Sequence, residues 1–431
     1  MANTQNRLVL LVKKAITVLQ KRGLSFLIRK ALKTSYLVVT SFIKYSSKRT
    51  EYRAFLSSLQ LQDRIFLWTE RFGWNIALFQ RPQHIARCLA ARGSSFFYYT
   101  EPEFDPDVKD IKQIGPNLFL VNRWNLVFVS ELERCLFAAK QHRYVHTYST
   151  LGTTTDELKR YESYGFHVFY EYVDDLSPEL SGTKKVPAYL MEKYEYVTGS
   201  DRIPVAATAD LLVQQMRDLR GEKNLVQSSN GVDPEHFRNI KEDFVFSDMF
   251  QKVLDRGNKI VGYYGAMAKW LDYDLLKYVA AQLPDVDFVL IGKKYDDSFD
   301  ASGIDTVPNI HFIGPVAYQD LPQYAAKFDI CSIPFVVNSI TNATSPLKLF
   351  EYMALRKPVL TTAMQESSKY EAVNIAHDPQ EFADQIRLLL SYAPATQPGY
   401  FALLDETVAQ NDWLSKADLI LNMLEDYESS L

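Results

Sequence analysis

From residue 63 onward the chain alternates short apolar runs with amphipathic segments, and it does so in two successive series. Apolar runs that lack a polar face need cover on both sides, so this rhythm points to a layered α/β fold with helices over a parallel sheet. In the first series Arg64–Trp68, Ser95–Tyr99, Leu118–Val121, Tyr144–Thr147, Phe166–Val173 and Val205–Thr208 read as strands, separated by segments such as Pro82–Ala91 and Ser130–Lys140. Asn230-Gly231 marks a turn, and 237–258 reads as a linker. The second series contains Lys259–Tyr264, Phe288–Ile291, Ile310–Ile313, Ile330–Ile333 and Pro358–Thr361, and a last helix near Trp413 to Tyr427 offers Ala417, Ile420, Leu421 and Leu424 for burial. The pattern predicts an α/β protein of two Rossmann-like parallel-sheet domains facing a cleft, 54–236 and 237–400. It adds an N-terminal helical arm, 1–53, and a C-terminal helix within 401–431 that returns toward the first domain. Ligands of such sheets bind beyond the carboxyl ends of the strands, so residues just after strands carry the functional weight.

Charge divides the chain unevenly. Residues 1–53 hold twelve Lys or Arg and one acid, Glu51, giving +11, while the remainder carries −15. Leu8, Leu11, Val12, Ala15 and Leu19 recur at helical spacing opposite Lys13, Lys14 and Lys21. After Gly23 the stripe restarts with Leu24, Ile28, Leu32, Ser35, Val39 and Phe42, opposite Arg29, Lys30, Lys33 and Lys44. Two amphipathic helices with basic polar faces suit an anchor on an anionic membrane surface. The same pattern also suits helices packed on the protein's own body, and an Arg-rich, acid-poor start suits a mitochondrial presequence. The longest uncharged run of the arm, Thr34–Ile43, would rise only about 15 Å as a helix, too short for a membrane span. Charges interrupt every apolar stretch there, which argues against a cleavable signal peptide. An acidic body makes nucleic acid an unattractive partner. Cys88, Cys135 and Cys331 are too widely separated for a disulfide framework or a metal site, and a reducing compartment is the simplest setting.

The segment Asn338–Lys357 concentrates chemistry. Thr344-Ser345-Pro346 leads into a helix bearing Lys348 and Glu351. A helix start offers free N–H groups and the positive end of the dipole to a phosphate, and Lys348 adds a cation. Glu351, nearly one turn further on the same face, can accept two hydrogen bonds from a ribose diol. Taken alone, the pair would equally be a solvated Lys and Glu on a surface helix.

Together with its surroundings the segment resembles the nucleotide-binding region of GT-B glycosyltransferases, in particular the GT4-like enzymes of bacterial surface polysaccharide synthesis (capsule, O-antigen and teichuronic acid types). Pro346-Leu347-Lys348, Glu351-Tyr352 and Lys357-Pro358-Val359 carry the likeness. So do Gly262-Tyr263-Tyr264-Gly265-Ala266 with Trp270-Leu271-Asp272, Phe312-Ile313-Gly314, and Leu321-Pro322-Gln323-Tyr324 with Asp329. In the first half Arg81-Pro82-Gln83-His84, Asp174-Asp175-Leu176 and Asn230-Gly231-Val232-Asp233 agree in order. The likeness covers about 63–425. It implies metal-independent transfer of a sugar from a nucleoside diphosphate donor, a co-substrate rather than a cofactor, to a glycan or lipid-linked acceptor, and the basic arm, outside the likeness, favours a lipid-borne acceptor at the cytoplasmic membrane face. On this basis Glu351 would hold the ribose, and Lys348 with Thr344 and Ser345 the diphosphate. Gly265 and Lys269 would stand near the phosphates, and Ile313 and Gly314 would offer backbone groups to the base.

Many relatives carry a second glutamate whose place is taken here by Ala343, with Asn342 beside it as a substitute amide. That departure leaves the sugar and the stereochemical course open. It also keeps alive a catalytically silent scaffold of a polysaccharide assembly complex, beside a nucleotide-sugar epimerase of the same fold. On the acceptor side Asp174 follows a strand and is the candidate general base. Asp175 stands next to it, and His84 and Arg81 open a helix after the first strand's long loop. Phe72, Trp74 and Phe79 in that loop form either an acceptor surface or a small satellite core. The oligomeric state is not legible.

Overall fold

The computed structural model describes residues 39–76, 79–176, 185–391 and 398–431. The arm's stripes from Leu8 to Ser35 lie outside the described residues.

Each half is built on its own sheet. The first comprises β1 (Arg64–Trp68), β2 (Ser94–Thr100), β3 (Ile111–Gly115), β4 (Leu118–Asn122), β5 (His142–Tyr148), β6 (His167–Tyr172), β7 (Val205–Ala207) and β8 (Leu225–Gln227). Their spatial order is β3-β4-β2-β1-β5-β6-β7-β8, parallel except for β3 against β4. The second sheet, wholly parallel, comprises β9 (Lys259–Tyr264), β10 (Val286–Ile291), β11 (Ile310–Gly314), β12 (Ile330–Ile333), β13 (Val359–Thr362) and β14 (Val373–Ala376), in the order β11-β10-β9-β12-β13-β14. In both sheets the chain starts at a central strand, winds outward on one side, then crosses back to the other. The crevices between β1 and β5, and between β9 and β12, are therefore the switch points where ligands are expected.

The edge strands β3, β8 and β14 escape the sequence pattern. β3 is a polar edge (Lys112 and Gln113 are exposed), while β8 and β14 are three and four residues long. The segment expected as a linker holds helices Pro234–Arg238 and Asp248–Leu254, whose Phe237 and Phe250 are fully buried in the second half's core. Helix Arg49–Ser58 straddles residue 53 and belongs to the first half's packing. Tyr52 and Leu56 are buried there, with Tyr52 edge-on to Phe128 at 5.0 Å, and Arg53 grips Glu131 through two hydrogen bonds of 2.9 and 3.1 Å.

The C-terminal segment divides between the halves. Helix Pro398–Gln410 buries Leu404 and Val408 in the second core. Helix Trp413–Ser429 crosses to the first half, where Ala417, Ile420 and Leu424 are fully buried beside helix Arg81–Ala91. Its last turn is fixed by Glu428, which accepts from Arg64 and from the Tyr144 hydroxyl at 2.7 Å.

Candidate functional site

A cleft of about 330 Å³ lies between the two sheets, lined by residues that follow β1, β5 and β6 on one side and β9 and β12 on the other. On the second-half wall the helix Leu347–Ala354 begins at Pro346, and no side chain caps it. The Leu347 and Lys348 N–H groups of its first turn have no partner among the described residues and stand at the cleft, whereas the Leu349 N–H donates to the Pro346 carbonyl at 3.1 Å. Glu351 is 2 % exposed and accepts a 2.7 Å hydrogen bond from the Tyr264 hydroxyl. Burial lifts its carboxyl to about 7, against the opposing pull of Tyr264 and Lys348. Burial likewise lowers the Lys348 ammonium, and Glu351 partly restores it. That ammonium rests 5.5 Å from the ring centroids of both Tyr263 and Phe335, with no hydrogen bond to any described residue. A buried carboxylate and an unpartnered cation on one helical face, beside free N–H groups, make a site able to take hydroxyls and an anion.

Gly265 makes room for this arrangement. Its φ is +150°, and a Cβ there would stand 2.2 Å from Lys348 Cε. Thr344 and Ser345 both line the cleft, but their hydroxyls have protein partners. Thr344 Oγ1 donates to the Ile340 carbonyl, and Ser345 Oγ accepts from the Asn230 backbone N–H. The Asn230 side-chain amide donates to the Ser345 carbonyl at 2.7 Å, so this pair ties the halves together at the cleft floor.

On the opposite wall Asp174 is half-buried, and its carboxylate has no hydrogen-bond partner among the described residues. Burial, with a smaller contribution from neighbouring Asp175, raises its carboxyl to about 6. Tyr148, Thr150 and Leu151 continue this wall, and Phe72 and Phe79 close one end, with Phe79 stacked on Tyr318 at 5.4 Å.

Several expected members lie elsewhere. His84 does not line the cleft. It is 2 % exposed, stacked on Trp413 at 4.7 Å, and shares a 3.4 Å hydrogen bond with the Tyr318 hydroxyl; burial holds its imidazole well below the ordinary value. Arg81 borders the cleft with its guanidinium already engaged, donating to Glu171, the Ser229 carbonyl and Ser228 Oγ. Asp175 turns inward to accept from the Tyr172 hydroxyl and the Leu176 N–H, both at 2.9 Å. Trp74 does not line the cleft and packs edge-on at 5.2 Å against Tyr98 in a core cluster of the first half. Lys269 is exposed, its N–H donating to Asp296, and does not line the cleft. Asn342 is turned away, its side-chain oxygen accepting from the Gln365 N–H at 3.0 Å. Ile313 and Gly314 end β11 outside the cleft lining, with the Gly314 carbonyl accepting from Gly292. Tyr264, Tyr318 and the Tyr148–Leu151 turn belong to the site without having been singled out in the sequence. Tyr264 and Tyr148 end β9 and β5, and Tyr318 opens a short 3-10 turn, but nothing local marks these side chains as inward-facing. Among the described residues no group of three His, Cys, Asp or Glu side chains is placed to hold a metal ion.

Comparison with known proteins agrees with this architecture. A family model described as "Glycosyl transferases group 1" matches residues 258–392. The putative teichuronic acid biosynthesis glycosyltransferase TuaH of Bacillus subtilis is 32 % identical over 115 residues, a match that spans 26 % of this chain and 28 % of that relative. Among solved structures, sucrose-phosphate synthase of Thermosynechococcus elongatus superposes with a TM-score of 0.61 at 15 % identity, covering 85 % of this chain and 100 % of that one. HepE of Anabaena, in complex with UDP-glucose, gives 0.59 at 15 % identity over the same shares. The fold is GT-B: two Rossmann-like domains facing a cleft, with an N-terminal helical segment.

Proposed function

We propose that the chain is a glycosyltransferase that moves a sugar from a nucleoside diphosphate donor, seated on the second-half wall, to a hydroxyl of a glycan or lipid-linked acceptor presented by the first half. The observation that carries this reading is the facing pair of sites in one cleft. Glu351 and Lys348 flank an uncapped helix start on one wall, and unpartnered Asp174 stands on the other. A ribose diol would donate to Glu351, while Lys348 and the free N–H groups would stabilise the diphosphate as it leaves with the electrons of the broken carbon–oxygen bond. In an inverting transfer Asp174 would take the proton that the acceptor oxygen loses as the new glycosidic bond forms. Support also comes from the family model over the donor half and from the name carried by the TuaH relative, which extends the proposal to surface polysaccharide synthesis.

The reading places the enzyme peripherally, on the inner face of the cell membrane, held by the basic arm. Among the described residues no helix is long and apolar enough to cross a membrane. The last helical turns of the arm, from residue 39 to 45, do leave Val39, Phe42 and Ile43 exposed (54, 58 and 74 %) beside exposed Lys44, while buried Ser41 accepts from the Leu126 N–H and ties the segment to the body. Adjacent apolar and basic side chains suit the headgroup boundary of an anionic bilayer.

Calorimetric titration with UDP, GDP, ADP, CDP and dTDP tests the donor site. One of the five should bind saturably, and Glu351→Ala should weaken it by about tenfold, the loss of a charge-assisted hydrogen-bonded contact. Absence of binding by all five to folded protein would sink the transferase reading and favour a silent scaffold. For the anchor, Phe42→Ser/Ile43→Ser should reduce co-sedimentation with vesicles containing phosphatidylglycerol, and equal binding would count against it.

A further inference from the structure

The first-half wall of the cleft is a turn, Thr147–Thr153, and two fully buried opposite charges stand behind it. Lys193, 0 % exposed on helix Ala188–Thr198, donates to the carbonyls of Tyr148 and Leu151, both at 2.6 Å, and to Thr147 Oγ1 at 3.2 Å. Its ammonium lies 3.5 Å from Oε1 of Glu70, which is 1 % exposed just after β1. Glu70 grips the same turn from the other side, accepting from Thr147 Oγ1, from the Tyr148 N–H, and from the Thr153 N–H at 2.8 Å. Every hydrogen bond of this pair within the turn falls on a backbone group or on Thr147.

The turn is in turn joined to the candidate base. Ser149 Oγ donates to the Asp174 carbonyl at 3.2 Å and accepts from the Val173 N–H at 3.3 Å, while the Ser149 N–H donates to the Glu171 carbonyl at 2.9 Å. A continuous chain of hydrogen bonds thus runs from Lys193 and Glu70, through the turn, to the backbone that carries Asp174. Buried ion pairs contribute little net stability compared with apolar side chains of the same volume. What this pair supplies is direction: donors for two inward carbonyls and acceptors for two inward N–H groups, which fix one conformation of the turn.

We propose that Lys193 and Glu70 are positioning residues, a brace that holds the Tyr148–Leu151 wall and, through Ser149, Asp174 in the geometry the proposed transfer requires; the catalytic part of this inference rests on that reading. The brace touches no substrate. Removing it leaves the donor wall, on the other half, unchanged.

The double variant Glu70→Gln/Lys193→Met removes both charges and leaves neither buried alone. In the full-length protein, amide hydrogen exchange at Tyr148 and Thr153 should quicken at least about tenfold, while exchange in β9–β14 stays as in the wild type. Affinity for the bound nucleoside diphosphate should stay unchanged. Its release from UDP-glucose or GDP-mannose, whichever shares that nucleotide, should fall at least about tenfold in kcat with KM for the donor unaltered. Ser149→Ala, a small change beyond the brace, should lower kcat in the same direction and serves if the double variant does not fold. Unchanged exchange and kcat, or exchange quickened uniformly across both halves, overturns the brace. A wild type that binds no nucleotide sinks the transfer reading instead, and the exchange measurement still decides whether the pair holds the turn.

Discussion

Asp174 and Glu351 face each other across one cleft, and burial raises both above the usual carboxylate range, yet they suit different tasks. Asp174, lifted to about 6 and without a hydrogen-bond partner among the described residues, is ionised at neutral pH and free to take a proton. Its shift is upward, so the base form is present above about pH 6 and is lost as the pH falls through that value. Turnover by the wild type should therefore fall about tenfold per unit below pH 6, whereas Asp174→Asn should be at least about 100-fold slower and lack that limb. A steady-state pH profile of both proteins checks this. Glu351 is held by Tyr264 and shares its environment with Lys348, which suits binding rather than proton transfer. Gly265 is the backbone condition for that site. Gly265→Ala forces a Cβ to 2.2 Å from Lys348 Cε at φ +150°, so it should cost about 1–3 kcal/mol in urea unfolding and weaken nucleotide binding in titration. Charge type, helix position and strand-end placement are legible in the sequence for Glu351, Lys348 and Asp174. Partnership is not: Arg81 and Asn342 carry suitable groups, but their hydrogen bonds are taken by residues that only the fold brings near, while Asp175 is engaged by its chain neighbours Tyr172 and Leu176.

At the scale of elements, most strands recovered from the sequence lie inside their sheets, because burial on both faces imposes a continuous apolar run; β11 is an edge strand recovered as well, through its own apolar run Ile310–Ile313. β3, β8 and β14 sit at sheet edges, where half of the cover is missing and the pattern fades. The C-terminal helix shows how a local amphipathic stripe is completed by a distant partner. Its Ala417, Ile420 and Leu424 are apolar in sequence, but their place against helix Arg81–Ala91 depends on the chain recrossing between halves. Glu428 clamps that recrossing. Glu428→Ala leaves the partly buried Arg64 and the Tyr144 hydroxyl without their acceptor, a loss of about 1–3 kcal/mol that a lowered thermal midpoint should register; Glu428→Gln should lose less.

At the scale of the molecule, contacts that set the two halves against each other include Asn230 with Ser345 and Phe79 with Tyr318 at the cleft and, outside its lining, a cluster in which buried Glu366 accepts from the Asp210 N–H at 2.7 Å and from Lys369. Ala343 belongs to the same junction. Although it lies in the second half, it is 2 % exposed within the first half's core cluster, so the residue that departs from the two-glutamate pattern faces the other domain and not the cleft. Ala343→Glu should accordingly gain no turnover. A carboxylate there would be desolvated between the halves, lowering the thermal midpoint and enlarging the radius of gyration in small-angle scattering.

The sequence by itself determined two covered parallel sheets, the chemical character of the donor-side helix and the basic character of the arm, because periodicity, helix starts and charge are properties of neighbouring residues. Only the tertiary structure decided which charged groups are free and which are engaged, that Lys348 passes over Gly265, that Ala343 is a contact between domains, and that Glu70 and Lys193 meet behind one turn. Those facts depend on distances between residues far apart in the chain, and such distances exist only once the two sheets, the recrossing helix and the cleft between them are in place.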